Sequence, residues 1–403
     1  MKVRTITFVN PTFFSYAQRV LKGIAQYVAV HPHLRLRVHN HPAFEPWWQS
    51  ARIQNGGVIG LFGSPGEVAG YQKEGLPVVN AASLTSDIRP WVHIDETAVG
   101  RLAGEAFLTT GLHRFVFITA NFSTPVPLLF SRDTTVPIAT SLFNRQRMEG
   151  FQEALKTRHD GRLWMYSLES RMFGSPGHRQ LAMLRLADFL QTIPQPFGIF
   201  CVNDLIGHVV LEGCRVAGLR VPDEVQLISV DNDELLCLGS EPPLASIDQG
   251  EERVGWQAAA LLDQLLQGKA DPDTEICLSP IGLVERPSFD TTIGGDDPII
   301  QIAWSYMRQH LDQPLPVGRL AALVKMERRT FERRFRKVTG QSPATEQARL
   351  RLDKARRLLL TSDKTVKEIS QMCGYLEAKR LHEAFQRTFG LAPLAYRRQQ
   401  KNG

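Results

Sequence analysis

LAALVKMERRTFERRFRKVTGQSP, Leu320 to Pro343, returns as ISQMCGYLEAKRLHEAFQRTFGLAP, Ile369 to Pro393. Phe335 aligns with Phe385, Gly340 with Gly390 and Pro343 with Pro393, so one offset of 50 residues relates the copies. Each copy reads as a short apolar helix, a break and a longer helix studded with Arg and Lys, the sequence form of a helix-turn-helix. Between them, ATEQARLRLDKARRLLLTS carries Ala348, Leu352, Ala355 and Leu359 at three- and four-residue steps, which predicts one amphipathic helix joining the units. IIQIAWSYMRQHL, from Ile299, predicts a further helix ahead of the first copy. Two such units in tandem point to a protein that reads DNA.

Charge supports that reading. From Asp296 to Gly403 there are 22 Lys and Arg against 11 Asp and Glu, a net of +11, whereas the preceding 295 residues carry a net of −5. The excess positive charge sits where a polyanion would bind, and the remainder has the balance of an ordinary soluble domain. A membrane surface is the competing polyanion. Against it, no run approaches ~18 apolar residues, and no lipid-anchor signature closes the C-terminus. The opening MKVRTITFVNPTFF is broken too early by Asn10 and Pro11 for an export leader and reads as a first strand. The five cysteines are scattered and without C-x-x-C spacing, so neither a metal site nor a disulfide framework is expected, and a reducing cytoplasm is the simple inference.

A chain of 403 residues is long enough for two or three cores. Up to about residue 290, TITFVN, LRLRVHN, GGVIGLF, LPVVNAA, RFVFITA, FGIFCVND, EVQLISVDN and LASIDQ are candidate strands, most of them separated by helical patterns. That alternation predicts an α/β domain with parallel sheet and crossover helices. Ligands of such sheets sit beyond the carboxyl ends of the strands. Asn10, Asn203-Asp204, Asp231-Asn232 and Asp248-Gln249 lie at those ends, mixing donors and acceptors suited to a polyhydroxylated ligand. Phe13, Phe14 and Tyr16 could offer apolar faces to a sugar ring. The competing reading of each Asn or Asp is local, as a turn residue or helix cap. No nucleophile elbow, H-E-x-x-H, phosphate loop or dinucleotide fingerprint is present, so an enzyme is not expected.

Phe197 to Gly268, beginning FGIFCVNDLIGHVVLEGCRVAGLRVPDEVQLISVDNDEL, resembles the effector domain of lactose-repressor-type regulators, itself similar to periplasmic sugar-binding proteins. RQRMEGFQEAL, Arg145 to Leu155, resembles the helix that presents a ligand-binding arginine there. The resemblance implies two doubly wound α/β lobes closing on a ligand. By position, Arg147, Asn203 and Asp231 would bind sugar hydroxyls and Gln249 would lie near the hinge. The sequence departs from pentose-binding relatives at Ala82 and Ser83, where those proteins carry an acidic residue and an arginine.

ERPSFDTTIGGDDPIIQ, Glu285 to Gln301, reads as a linker. Ile299 to Arg398 resembles the arabinose-regulator (AraC-type) DNA-binding domain, including its terminal F-x-R-x-F-G-x-x-P-x-x-Y-R form, here FQRTFGLAPLAYR. In that family a stiff helix holds two recognition helices about one DNA turn apart, roughly 34 Å. The resemblance places Arg329, Thr330, Glu332, Arg333 and Arg336 of the first helix, and Lys379, Arg380, His382 and Glu383 of the second, toward DNA. Arginine can grip guanine with two hydrogen bonds, and Glu332 could accept from cytosine. Phe331, Phe335, Leu381 and Phe385 share the opposite stripe and read as core.

The expected organisation is a two-lobed, periplasmic-binding-protein-like α/β domain over 1–288, a linker over 289–298, and an all-α domain with two helix-turn-helix motifs over 299–400. The combination resembles the family of bacterial xylose-operon activators, with Tyr16, VLKGIAQY, SVDNDEL and EISQMCGY among the shared forms. It implies a cytoplasmic regulator without cofactor or metal, taking D-xylose or a related sugar as effector. Its partners would be double-stranded promoter DNA, RNA polymerase and a second copy of the chain, with no membrane. Repression, and response to a different sugar or derivative, remain open alternatives.

Overall fold

The computed structural model describes residues 3–9, 15–39, 55–121, 141–156, 162–169, 176–289, 297–313, 315–339 and 341–402. One sheet contains β1 (Arg4–Val9), β2 (Leu34–His39), β3 (Gly56–Gly60), β4 (Val78–Asn80), β5 (Trp91–Ile94) and the late β11 (Glu275–Leu278). Their order is β11-β5-β4-β3-β1-β2, parallel throughout. The second contains β6 (Arg114–Asn121), β7 (Arg162–Glu169), β8 (Phe197–Cys201), β9 (Val225–Val230), β10 (Ala245–Asp248) and β12 (Gly282–Val284), in the order β12-β10-β9-β8-β6-β7. Only β12 runs antiparallel, against β10. Strands β3, β8 and β9 are buried along their whole length, which is why they read as unbroken apolar runs.

Each sheet is the core of one lobe. On the first lie α1 (Ser15–Ala29), α2 (Pro65–Lys73) and α8 (Glu251–Leu266); on the second lie α3 (Glu96–Leu108), α4 (Leu142–Leu155), α5 (Pro176–Gln191), α6 (Asp204–Val216) and α7 (Glu234–Gly239). Ala17, Val20, Gly23, Ile24 and Tyr27 of α1 recur at three- and four-residue steps and are all buried, the stripe of a helix with one apolar face. The chain crosses between lobes three times: from β5 into α3, from β10 into α8, and from β11 to β12. The lobes also meet across the cleft, where the first amides of α4 donate to the carbonyls of Leu84 and Ser83. Those amides have no partner within their own helix, so the first lobe satisfies them.

The helical domain comprises α9 (Pro298–Gln309), α10 (Val317–Leu323), α11 (Arg328–Thr339), α12 (Pro343–Thr361), α13 (Val366–Met372), α14 (Ala378–Phe389) and α15 (Pro393–Asn402). The repeat is visible in three dimensions: α11 and α14 have the same length at the same 50-residue offset. Phe331 and Phe335 anchor one core with Trp304 and Leu320, while Leu381 and Phe385 anchor the other with Ile369 and Tyr396. Helix starts follow capping chemistry. Ser342 caps α12, and Thr365 and Glu368 form a reciprocal capping box on α13. The α12 stripe holds for Leu352, Ala355 and Leu359, but Ala348 is exposed. Most of the expected linker, residues 290–296, lies outside those described.

Candidate functional site

The cleft is assembled from strand ends and crossover segments, as the parallel topology demands. Its centre is Arg147 on α4, only 3% exposed. Helices α3 and α4 pack so closely that a Cβ on Gly100 would lie 1.9 Å from the Arg147 carbonyl oxygen, and one on Gly150 would lie 1.9 Å from that of Thr97. This approach lets the Arg147 guanidinium reach Glu96, the first residue of α3, at 2.7 Å. The same guanidinium donates to the Val202 carbonyl and to Gln249 Oε1 at 2.9 Å. Gln249, in the β10–α8 crossover, passes the chain on by donating to Asp231 Oδ1 at 2.7 Å.

Carboxylates crowd this chain. Burial pushes the Asp231 carboxyl above the ordinary aspartate range; Arg147 opposes that, and Asp204 and Glu96 add to it. Burial likewise drives Glu251 well upward despite Arg19, whose guanidinium sits 3.0 Å from it. Burial alone would depress Arg147, but Glu96 and Asp231 together raise it, so its cation is secure. Arg19 on α1 bridges the lobes. It donates to the backbone carbonyls of Asp231 and Asn232 and to Asp248 at 2.9 Å.

The turn that aims Asp231 is held in an unusual backbone. Asp231 and Asn232 have φ of +107° and +52°, conformations that cost side-chain-bearing residues energy and persist only where surroundings enforce them. The enforcement comes from Asp204, fully buried, which accepts from the hydroxyls of Ser229 and Ser246, the Asp233 amide and the Cys237 thiol. Arg286 adds a 2.7 Å hydrogen bond to Asn232 Oδ1.

The structure brings together four of the residues singled out by sequence: Arg147, Asp231 and Gln249 in one chain, with Tyr16 beside it. The Tyr16 hydroxyl donates to the Ala81 carbonyl at 3.1 Å, and burial plus Glu96, Glu251 and Asp231 raise its ionisation far above the usual phenol range. Asn203 Oδ1 caps α6, accepting from the Ile206 amide, and Asp204 supports the turn, so both have the local roles that strand-end polar residues also serve. Asn10, Phe13 and Phe14 lie outside the described residues. Sequence reasoning missed Arg19 and Glu96. Glu96 follows β5 and carried the polar-after-strand signal used elsewhere, whereas Arg19 gives no signal inside a helix. At the departure, Ala82 and Ser83 are buried, and among the described residues Ser83 Oγ and Asn80 Nδ2 have no hydrogen-bond partner. Among the described residues no group of three or more His, Cys, Asp or Glu could hold a metal ion, and no helix is long and apolar enough to cross a membrane.

In the helical domain, Arg329, Thr330, Arg333 and Arg336 of α11 and Lys379, Arg380, His382 and Glu383 of α14 are exposed, opposite the buried Phe331, Phe335, Leu381 and Phe385. Glu332 is half-buried and paired with Arg328 at 2.9 Å; Thr330 is engaged with Glu327 at the helix start. Lys379 lies 4.0 Å from Glu383. The 19 residues of α12 span about 28 Å at 1.5 Å each, a rigid spacer close to one turn of DNA.

Residues 105–289 match the periplasmic binding protein-like domain and residues 320–399 a helix-turn-helix domain. The chain is 34% identical over 223 residues to the xylose operon regulatory protein of Escherichia coli K12, a match covering 55% of this chain and little more than half, 57%, of that protein. It is 25% identical to the protein of the same name from Haemophilus influenzae, covering 85% and 84% of the two chains. The solved structure of a xylose-binding transcription activator superposes with a TM-score of 0.56 at 25% identity over 98% of each chain. The chain is thus similar to xylose operon regulatory proteins, with a periplasmic-binding-protein-like domain ahead of a helix-turn-helix domain.

Proposed function

We propose that the chain is a sugar-responsive, DNA-binding transcriptional regulator, an activator of genes for catabolism of D-xylose or a closely related sugar. The observation that carries the reading is the buried Arg147–Gln249–Asp231 chain at the lobe interface, on the same polypeptide as two exposed basic recognition helices. A sugar hydroxyl both donates and accepts. Arg147 would donate to the ring hydroxyls, Asp231 and Gln249 would accept and return hydrogen bonds, and Asn80 and Ser83 supply further buried polar groups at the β4 end. The names of the two relatives favour xylose. The reading needs no catalysis, cofactor or metal and takes promoter DNA, RNA polymerase and a second copy of the chain as partners, in the cytoplasm. On α11 and α14, Arg329, Arg333, Arg336, Lys379, Arg380 and His382 would divide between phosphates and base edges.

A thermal-shift screen of pentoses, hexoses and their alcohols tests the sensor half. A ligand at 100 times its Kd stabilises the native state by about 2.7 kcal/mol. D-xylose or a near relative should therefore raise the melting temperature by several degrees. No shift with any sugar would refute the sensor role.

A further inference from the structure

We infer that the second helix-turn-helix unit is seated across the hinge of the sensor, held by both lobes at once, so that lobe closure acts on this unit and not directly on the first. Three contacts define the seat. From the β11–β12 crossover, Ile281 packs into the core that Leu352, Ala355, Leu359 and Tyr396 form in the second unit. Its amide also donates to the Asp248 carbonyl at 2.9 Å, tying it to the β10–α8 crossover. From the first lobe, the start of α8 presents Arg253, with α15 packed against that helix and Tyr396 and Arg356 among the groups beside the guanidinium. From the second lobe, Gly282 at the start of β12 faces Arg356 of α12, and the exposed Glu105 of α3 lies within electrostatic reach of Asp353, Arg349 and Arg356 on α12.

The seat is fitted closely. Gly282 has φ of +144°, a conformation open in practice only to glycine, and a Cβ there would meet Arg356 Nη2 at 3.2 Å. Arg356 is 8% exposed. By contrast, among the described residues the core of the first unit contains no side chain from the sensor.

Lobe closure must rotate α8 against α3, because they belong to opposite lobes, and the crossover segments absorb the bend. A body seated on α8 of one lobe, β12 of the other and the crossover at Ile281 cannot keep all three contacts through that rotation. Gln249 links the seat to the cleft: its side chain bonds Arg147 and Asp231, while its backbone carbonyl accepts from Arg253, which also donates to the Ser279 carbonyl; Asp248 adds a second link, accepting from the Ile281 amide and from Arg19. Ligand contacts at Gln249 therefore reach the second unit through the Arg253 side chain, and the first unit follows through α12 and through the close approach of Gly374 to the Leu311 carbonyl.

The seat is a property of the fold; its control by ligand rests on the proposed function, and two readouts separate them. Hydrogen exchange on the full chain compares wild type with Glu105→Arg, which opposes Arg349 and Arg356 from an exposed position, and with Ile281→Ser. Amides of residues 349–360 and 393–399 should exchange several-fold faster in both variants, with α10 and α11 unchanged. Unaltered exchange in both would overturn the seat. If Ile281→Ser also unfolds α13 and α14, the exposed Glu105→Arg variant decides alone. The second readout is DNA affinity with and without saturating D-xylose. Given a ratio in wild type, Glu105→Arg should move it several-fold toward one while its xylose-induced melting shift persists, and an unchanged ratio would overturn the transmission. A wild-type ratio of one overturns the transmission and counts against the proposed function, while the exchange readout still decides the seat.

Discussion

Replacing Arg147 by Met should unfold the sensor at a markedly lower temperature, for a reason that a nearby arginine does not share. Arg147 is 3% exposed, and its partner Glu96 is 2% exposed. Removing one partner of a buried ion pair leaves the other charge unpaired and costs about 3–5 kcal/mol. Gln249 and Val202 lose a donor as well. For a domain of this size each kcal/mol moves the melting temperature by roughly 2–4 °C, so the expected drop is roughly 6–20 °C. Adding Glu96→Gln to the Met variant removes the orphaned charge and should recover a large part of the loss, a coupling that a double-mutant cycle isolates. The control is Arg145→Met two residues away, whose side chain is 60% exposed and only 3.9 Å from Glu149, with an expected change within ~0.5 kcal/mol. Scanning calorimetry on the four variants measures all of this. If Arg147→Met melts no lower than Arg145→Met, or if Glu96→Gln adds its own loss without recovery, the account of the cleft is wrong.

Three further outcomes follow from the geometry. Asp231 has a raised folded-state pKa, so its contribution is fully present below the ordinary aspartate value, about 3.9, and is lost as pH rises through the raised one. Asp231→Asn keeps the acceptor for Gln249, so its melting temperature should gain on wild type between pH 5 and 8; parallel curves would count against the burial argument. Arg333→Ala should cost about 1–3 kcal/mol on a promoter site beyond its cost on bulk DNA, measured by competition binding, whereas an equal loss on every sequence assigns Arg333 to phosphate. Phe385→Ala empties the centre of the second unit and should cost about 3–5 kcal/mol, read as lost helicity in α13 to α15 on heating; an unchanged melt would show that Phe385 is no anchor.

The helical domain was legible from its own pattern because helix stripes, caps and the repeat are local. Phe331, Phe335, Leu381 and Phe385 all fall in the cores, and the interruptions at 324–327 and 373–377 fall between paired helices. Four strands were not anticipated. β5, β11 and β12 have only three or four residues, and β7, RLWMYSLE, lies at a sheet edge with partly exposed faces. The site was half legible. The strand-end polar signal covers Asp231 and Gln249, which join the Arg147 chain, and equally Asn203, whose Oδ1 caps α6, and Asp204, which holds the strained turn. Arg19 could not be found from sequence, since its partners Asp231, Asn232 and Asp248 lie more than 200 residues away and meet it only once the lobes fold.

The most direct test of the whole account is fluorescence anisotropy of the full chain on its promoter DNA, titrated with and without saturating D-xylose at fixed salt. Coupling between two sites of this kind is worth about 1–3 kcal/mol, so affinity should change by roughly 5–150-fold, and by linkage DNA should shift xylose affinity by the same factor. Equal DNA affinity in both conditions, with xylose shown to be bound, would contradict the claim that the cleft governs the reader.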